Sequence, residues 1–225
     1  MTLPCSDEST CAVCGAASEQ TSMLSTNTFG APDLDARPPE MLRSTIAWWV
    51  HECPGCGYCA EDLGEAPAGA AEVVRSQAYR QQLDDPRAPE LARRFLCAAL
   101  IAEADRGPGA PALVQALVNA AWACDDAEDA EGAVRCRLRA ASALGALRAA
   151  GGSYMEGDPS EDDTLLADLY RRTGSFEEAG AAARAGLAHA VDGFHRGLLE
   201  LQLRLISARD VSAHACDEVV ADQPE

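Results

Sequence analysis

Two cysteine knuckles constrain the fold of this chain more than any other feature of its sequence. The first reads Cys11-Ala12-Val13-Cys14-Gly15, and the second reads Cys53-Pro54-Gly55-Cys56-Gly57. In each knuckle a glycine follows the second cysteine, where a tight turn favours a positive φ and backbone N–H groups point at sulfur. Four soft ligands are enough to close one tetrahedral structural zinc site. The predicted metal ligands are Cys11, Cys14, Cys53 and Cys56.

The competing interpretation of the knuckles is two disulfides or unused thiols, but nothing in the sequence indicates an oxidising compartment. Whether the metal is zinc or iron stays open. His51 and Cys59 flank the second knuckle and are candidate accessory residues. We interpret Cys59 as a small buried side chain and His51 as a strand residue or a group behind the ligands. Cys5 is interpreted as a surface thiol, with a spare ligand as the alternative.

The charge of the chain limits its partners. Its 225 residues carry a formal net charge of −18, and all 18 basic residues are arginine. Phosphate-binding surfaces need clustered positive charge, so nucleic acid and anionic membranes are disfavoured, and a partner with a basic segment is favoured. The sequence also has no basic and apolar leader and no apolar run long enough to span a bilayer. We therefore expect a cytoplasmic protein.

Residues 1–66 predict a small zinc ribbon made of short β-strands. Strands are expected within residues 21–28 and over Ile46–His51, which runs into the second knuckle. Residues 1–10 are polar and are expected to be frayed.

A long proline-rich loop, residues 29–40, is inserted between the knuckles. Its Asp33, Asp35 and Arg37 are candidates for a polar recognition site. The alternative is an ordered surface loop in which these side chains bond the turn backbone and one another.

Residues 67–210 predict an α-helical domain, because the apolar period changes from two to about 3.6 residues. Prolines at first-turn positions and glycines at helix ends mark the boundaries. The predicted helices are Ala70–Leu83, Ala88–Asp105, Pro111–Cys124, Ala130–Ala149, Thr164–Thr173, Phe176–Val191 and Phe194–Ala208. Residues 211–225 are predicted to be an acidic, disordered tail.

The stretch from Leu165 to Leu187 resembles a tetratricopeptide repeat, with a looser copy that begins at Asn119. The matching positions are Leu166, Tyr170, Gly174, Phe176, Ala179 and Leu187. The predicted fold class is therefore mainly α, with a small N-terminal β zinc ribbon followed by a tetratricopeptide-like array of helical hairpins.

With its two cysteine knuckles and its helical repeat, the chain resembles the bacterial family catalogued as domain of unknown function 2225. Members of that family join a C-x-x-C-G zinc ribbon to tetratricopeptide-like helices. The resemblance spans Cys11 to about Leu187. It is most specific at residues 53–58 and 169–179, and Cys59 and the lysine-free surface depart from it. The resemblance implies an architecture and no activity.

Two further features have ordinary interpretations. Cys97, Cys124 and Cys136 lie among apolar helix residues and are expected to pack in the core. An acidic loop could attract a cation, although a solvated loop that favours the next helix N-terminus is the simpler interpretation. Its acidic residues are Glu156, Asp158, Glu161, Asp162 and Asp163.

Three functional hypotheses follow. The first is an adaptor whose helical surface binds a protein partner while a structural zinc fixes the ribbon. The second is an enzyme that uses thiol chemistry at Cys53, Cys56 and Cys59, or a metal-assisted site that uses Asp33, Asp35 and His51. The third is nucleic-acid binding through the ribbon, which the charge disfavours.

Overall fold

The computed structural model describes residues 2–155, 157–158 and 160–221, with only the backbone described for residues 220 and 221. The N-terminal part contains two antiparallel hairpins. Strands β1 (Leu3–Thr10) and β2 (Ala17–Ser25) pair with Thr10 opposite Ala17, so the first knuckle is the turn that joins them. Strands β3 (His51–Glu52) and β4 (Cys59–Ala60) flank the second knuckle in the same way. Each knuckle is therefore the tip of a hairpin.

Two predictions about this region are wrong. Residues 1–10 were expected to be frayed, but residues 3–10 form β1 because their backbone pairs with β2 along its length. The strand expected over Ile46–His51 is instead a 3₁₀ helix, Arg43–Trp48, with only His51 in a strand. Ile46 and Val50 are both buried at a spacing of four residues. A short apolar run fits helix and strand equally well by periodicity, which explains the error.

Nine helices follow in the described part of the chain, and the predicted helices agree with them to within a few residues. The exception is the first predicted helix, which divides at Ser76. The backbone of Ser76 is extended there, and its hydroxyl accepts a hydrogen bond from the Tyr79 N–H to cap the second piece. The helices are α1 (Ala70–Arg75), α2 (Gln77–Leu83), α3 (Glu90–Arg106), α4 (Pro111–Asp126), α5 (Ala130–Ala149), α6 (Glu161–Arg172), α7 (Phe176–Leu187), α8 (Gly193–Ser207) and α9 (Glu218–Ala221).

The main hydrophobic core runs from the knuckles into α3, α4 and α5. Alanines such as Ala92, Ala99, Ala120 and Ala140 are completely buried within it. Small side chains of this kind let helix backbones approach closely. Across the described residues, no helix combines the length and the apolar character that a membrane crossing requires.

The C-terminal segment is ordered as far as the structure describes it, although residues 211–225 were predicted to be a disordered tail. Its backbone pairs with the long loop: the Leu34 N–H donates to the His214 carbonyl, and the Cys216 N–H donates to the Pro32 carbonyl. Val219 is buried in a small apolar cluster with Leu34. These partners lie about 180 residues away in sequence, so local composition did not reveal them. Residues 222–225 lie outside the described residues.

Candidate metal centre

The two knuckles have the same backbone geometry. The Gly15 N–H donates to the Cys11 carbonyl at 2.8 Å, and the Gly57 N–H donates to the Cys53 carbonyl at 2.8 Å. Both glycines adopt positive φ, +76° and +73°. A side chain would strain this conformation, so the glycine after each C-x-x-C is required by the turn itself. The sequence prediction for these two positions is confirmed.

The four knuckle sulfurs converge on one point. The Sγ atoms of Cys11 and Cys56 lie 3.8 Å apart, those of Cys14 and Cys53 lie 3.5 Å apart, and all four lie within 4.8 Å of one another. A tetrahedral site with Zn–S bonds of about 2.3 Å has sulfur–sulfur edges of about 3.8 Å. Disulfide sulfurs would lie about 2.05 Å apart, and all four thiols are unpaired. The arrangement therefore fits a tetrathiolate metal centre.

The backbone of the second knuckle also favours negative charge on sulfur. Burial opposes ionisation of Cys53, but hydrogen bonds from the N–H groups of Cys56 and Gly55 lower its pKa to about 7. Burial raises the pKa of Cys56 to about 12. Without a metal, Cys53 and Cys56 therefore lose their protons at different pH values. Thiolates, not thiols, ligate metals, so a divalent cation here would bind with release of protons.

The tips of the two hairpins touch each other. A Cβ atom at Gly55 would lie 2.8 Å from Cβ of Ala16 and 3.2 Å from Sγ of Cys14. Real Cβ atoms do not approach a carbon that closely, so Gly55 is the residue that lets the second knuckle lie against the first. The sequence pattern does not mark this position, because its glycine is needed for packing and not for its φ.

The accessory candidates do not join the four-sulfur group. Cys59 is buried beside Cys97 of α3, as predicted for a small core residue. His51 is half-buried; burial, followed by the positive charge of Arg94, lowers its pKa. Cys5 lies on β1 and donates a hydrogen bond to the Asp7 carboxylate at 3.1 Å.

The long loop docks on the helices through a buried carboxylate. Asp35 is only 1 % exposed and accepts hydrogen bonds from Trp122 Nε1 and from Arg172, each at 2.9 Å. Arg137, itself buried, lies 3.7 Å from the same carboxylate oxygen. Sequence reasoning missed these three helical partners, because nothing local to α4, α5 or α6 indicates that they face the loop.

The other two candidates in the loop are paired as well. Asp33 forms an ion pair with Arg43 at 2.7 Å, and Arg37 forms one with Asp126 at 2.6 Å. The loop side chains therefore bond mainly to the helices and to neighbouring residues. Asp35 is too deeply buried to contact a ligand from solution. They do not gather with His51: the described residues contain two groups of candidate metal ligands, and neither includes the loop carboxylates.

The second group of candidate ligands is Asp158, Asp192 and His195. Each carboxylate already has a structural partner: Asp158 accepts a hydrogen bond from the Ser160 N–H, and Asp192 caps α8 through the His195 N–H. These bonds support the simpler interpretation of the acidic loop, whose Glu156 lies outside the described residues.

An apolar cavity of about 160 Å³ lies between the long loop, α6 and α8. Its wall includes the apolar residues Leu34, Leu165, Phe194 and Leu198 and the polar residues Asp33, Glu161, Thr164 and His195. Phe194 remains 47 % exposed beside it.

A comparison with protein-family models, curated proteins and solved structures finds no match to this chain. The functional argument therefore depends on the geometry of the site.

Proposed function

We propose that the chain is a zinc protein in which one structural Zn²⁺, held by Cys11, Cys14, Cys53 and Cys56, fixes the N-terminal ribbon. The observation that carries this proposal is the convergence of four thiols at tetrahedral spacing on two matching knuckles. Four protein ligands leave no open position, which is typical of structural and not catalytic zinc.

We further propose that the helical part acts as an adaptor that binds a basic, partly apolar segment of a protein partner. Charge complementarity supports this proposal, because a chain with a net charge of −18 attracts such a segment. The apolar cavity beside Phe194 supports it too, since an apolar side chain of the partner fits there and the cavity wall carries the carboxylates of Asp33 and Glu161.

The enzyme and nucleic-acid hypotheses have no comparable support. Thiol exchange needs an accessible thiolate of low pKa, and zinc coordination would occupy Cys53 and Cys56. Cys59 lies against Cys97 instead of beside the ligands. Asp35 is paired with arginines.

Native mass spectrometry tests the zinc proposal. We expect one zinc ion per chain in the wild type, none in Cys56→Ser, and one in the matched control Cys5→Ser, since Cys5 lies outside the site. A wild-type protein without metal whose mass shows paired, oxidised knuckle cysteines would contradict the proposal.

Peptide binding tests the adaptor proposal. The probe is a short helical peptide with arginines on one face and leucines on the other, and the control replaces each arginine with glutamate. We expect salt-sensitive binding of the first peptide, weakened by Phe194→Ser, and no binding of the second. Equal binding by the Phe194→Ser chain would rule out this cavity as the docking site.

A further inference from the structure

Cys124 and Cys136 come together where α4 ends and α5 begins. The Cys124 carbonyl accepts the N–H of Asp129, the N-cap residue of α5, at 2.9 Å, which fixes the short connection between the helices. A Cβ atom at Gly132 would lie 2.9 Å from the Cys124 sulfur. Gly132 and Cys136 are four residues apart and share one face of α5. The Cys124 sulfur therefore lies on the face that carries Cys136.

Both thiols line a cavity of about 200 Å³, together with Arg135 and Arg139 and with the carboxylates of Asp85 and Asp129. The neighbouring Cys124 thiol, followed by the charges of Arg139, Arg135 and Arg137, lowers the pKa of Cys136 despite its burial. The same thiol contact, followed by burial and by the neighbouring carboxylates, raises the pKa of Cys124. Cys136 therefore ionises more readily than Cys124.

We propose that Cys124 and Cys136 are a reversible redox-modification site that reacts with small hydroperoxides. The Cys136 thiolate attacks one peroxide oxygen, the O–O bond breaks, and a sulfenic acid forms on Cys136. The leaving oxygen takes a proton and departs as an alcohol or as water. Cys124 then attacks the Cys136 sulfur, which forms the S–S bond and releases water. Two thiols are oxidised by two electrons, and the hydroperoxide is reduced.

The electrostatic surroundings distinguish this pair from another pair of buried thiols in the same protein. Cys59 and Cys97 also lie together, and the contact with Cys97, followed by burial, raises the pKa of Cys59 as the contact with Cys136 raises that of Cys124. The pairs differ in their charged neighbours: Arg135 and Arg139 line the cavity beside Cys136, whereas the charged side chain that acts on Cys59 is Glu52. Thiolate character and access determine oxidation. Cys59 and Cys97 therefore serve as the internal control.

The test is mild oxidation of the zinc-loaded, full-length protein with hydrogen peroxide, followed by trypsin and mass spectrometry without reduction. Cleavage after arginine leaves Cys124 in the peptide 107–135 and Cys136 in the peptide 136–137. We expect these two peptides to be joined by a disulfide, and a dithiol reductant should separate them. Disulfides confined to other cysteines, or an unchanged Cys124 and Cys136, would overturn the proposal.

A second variant tests which of the two cysteines reacts with the peroxide first. In Cys124→Ser the disulfide cannot form, so a sulfenic acid should accumulate on Cys136 and react with dimedone, at a rate on the order of tenfold above that of Cys97. In Cys136→Ser we expect no such labelling of Cys124. Labelling of Cys97 as fast as that of Cys136 would show that the arginines and the cavity have no effect, which would contradict the proposal.

Discussion

The ribbon and the helices of this protein are stabilised by different interactions. Around the knuckles the converging side chains are cysteines, and the surrounding β1–β2 hairpin is mostly polar and exposed. In α3, α4 and α5 the buried residues are mainly alanine, leucine and valine, with larger side chains such as Phe95, Ile101 and Trp122 among them. A small unit with few buried apolar residues commonly depends on a metal or a disulfide for stability, whereas a helical core of this kind does not.

The two regions nevertheless share one core, so the difference in stability between them is one of degree. Tyr79 of α2 is completely buried, and its hydroxyl donates a hydrogen bond to the Gly57 carbonyl and accepts one from the Cys59 N–H. The first helices thus pack directly on the second knuckle. Loss of the metal should therefore affect α1 and α2 more than α4 and α5.

The largest expected effect comes from removing one ligand. Structural zinc contributes about 10–16 kcal/mol of apparent binding free energy in small zinc domains, so Cys53→Ser should lose the metal and unfold the ribbon. Trypsin can report this change, because Arg43 provides the one cleavable arginine bond within residues 1–66 (Arg37 precedes a proline). We expect rapid cleavage after Arg43 in Cys53→Ser and slow cleavage in the wild type. Equal cleavage rates would show that the metal does not stabilise the ribbon.

A large effect is also expected in the region without metal ligands, at the buried carboxylate of the long loop. Asp35→Asn removes the charge that faces Arg137 and Arg172. Both arginines keep Asp125 as a second partner, so the loss of the Asp35 charge should cost about 1–3 kcal/mol of unfolding free energy. The control Glu90→Gln changes an exposed ion pair with Arg94 on α3 and should cost about 0.5 kcal/mol or less. Urea unfolding measures both, and similar values for the two would contradict a structural role of the loop.

A matched pair of glycine substitutions compares the regions more finely. Gly55→Ala places a methyl group against Ala16 and Cys14, and should destabilise the protein by about 1–3 kcal/mol through overpacking. Gly145 lies on an exposed face of α5 with no atom within 4 Å of an added Cβ. Gly145→Ala should therefore stabilise the protein by up to about 1 kcal/mol, since alanine favours helix. Thermal unfolding with zinc present measures whether the two substitutions change the stability of the protein in opposite directions.

The smallest expected effect is a pH dependence at the N-terminus of α8. Burial opposes a charge on His195, but Asp192, Asp158 and Glu161 raise its pKa overall. A raised folded pKa gives a stabilisation that is complete below the unfolded value of about 6.5 and is lost as the pH rises through the folded pKa. The wild type should therefore exceed His195→Gln in Tm below about pH 6.5, and the difference should shrink in mildly alkaline buffer. A difference independent of pH would contradict this assignment.

The features predictable from the sequence are those encoded by residues close together in the chain. Each knuckle needs its cysteine pair and the glycine that follows, so spacing alone predicted the four converging thiols. Helix α5 was predicted with its exact bounds because its apolar period and flanking residues are local signals. Pairing between distant segments has no such signal. The contact of residues 32–34 with residues 214–216 and the burial of Asp35 beside Trp122 both depend on how the helices pack.

Hydrogen exchange during zinc chelation tests the central claim most directly. The account predicts that amides in residues 11–16, 53–60 and the β1–β2 hairpin lose protection when a chelator removes the metal. Amides in α4 and α5 should keep most of theirs. If α4 and α5 lost protection together with the knuckles, the helices would depend on the metal as much as the ribbon does. That result would contradict the distinction between a metal-stabilised ribbon and a self-supporting helical core.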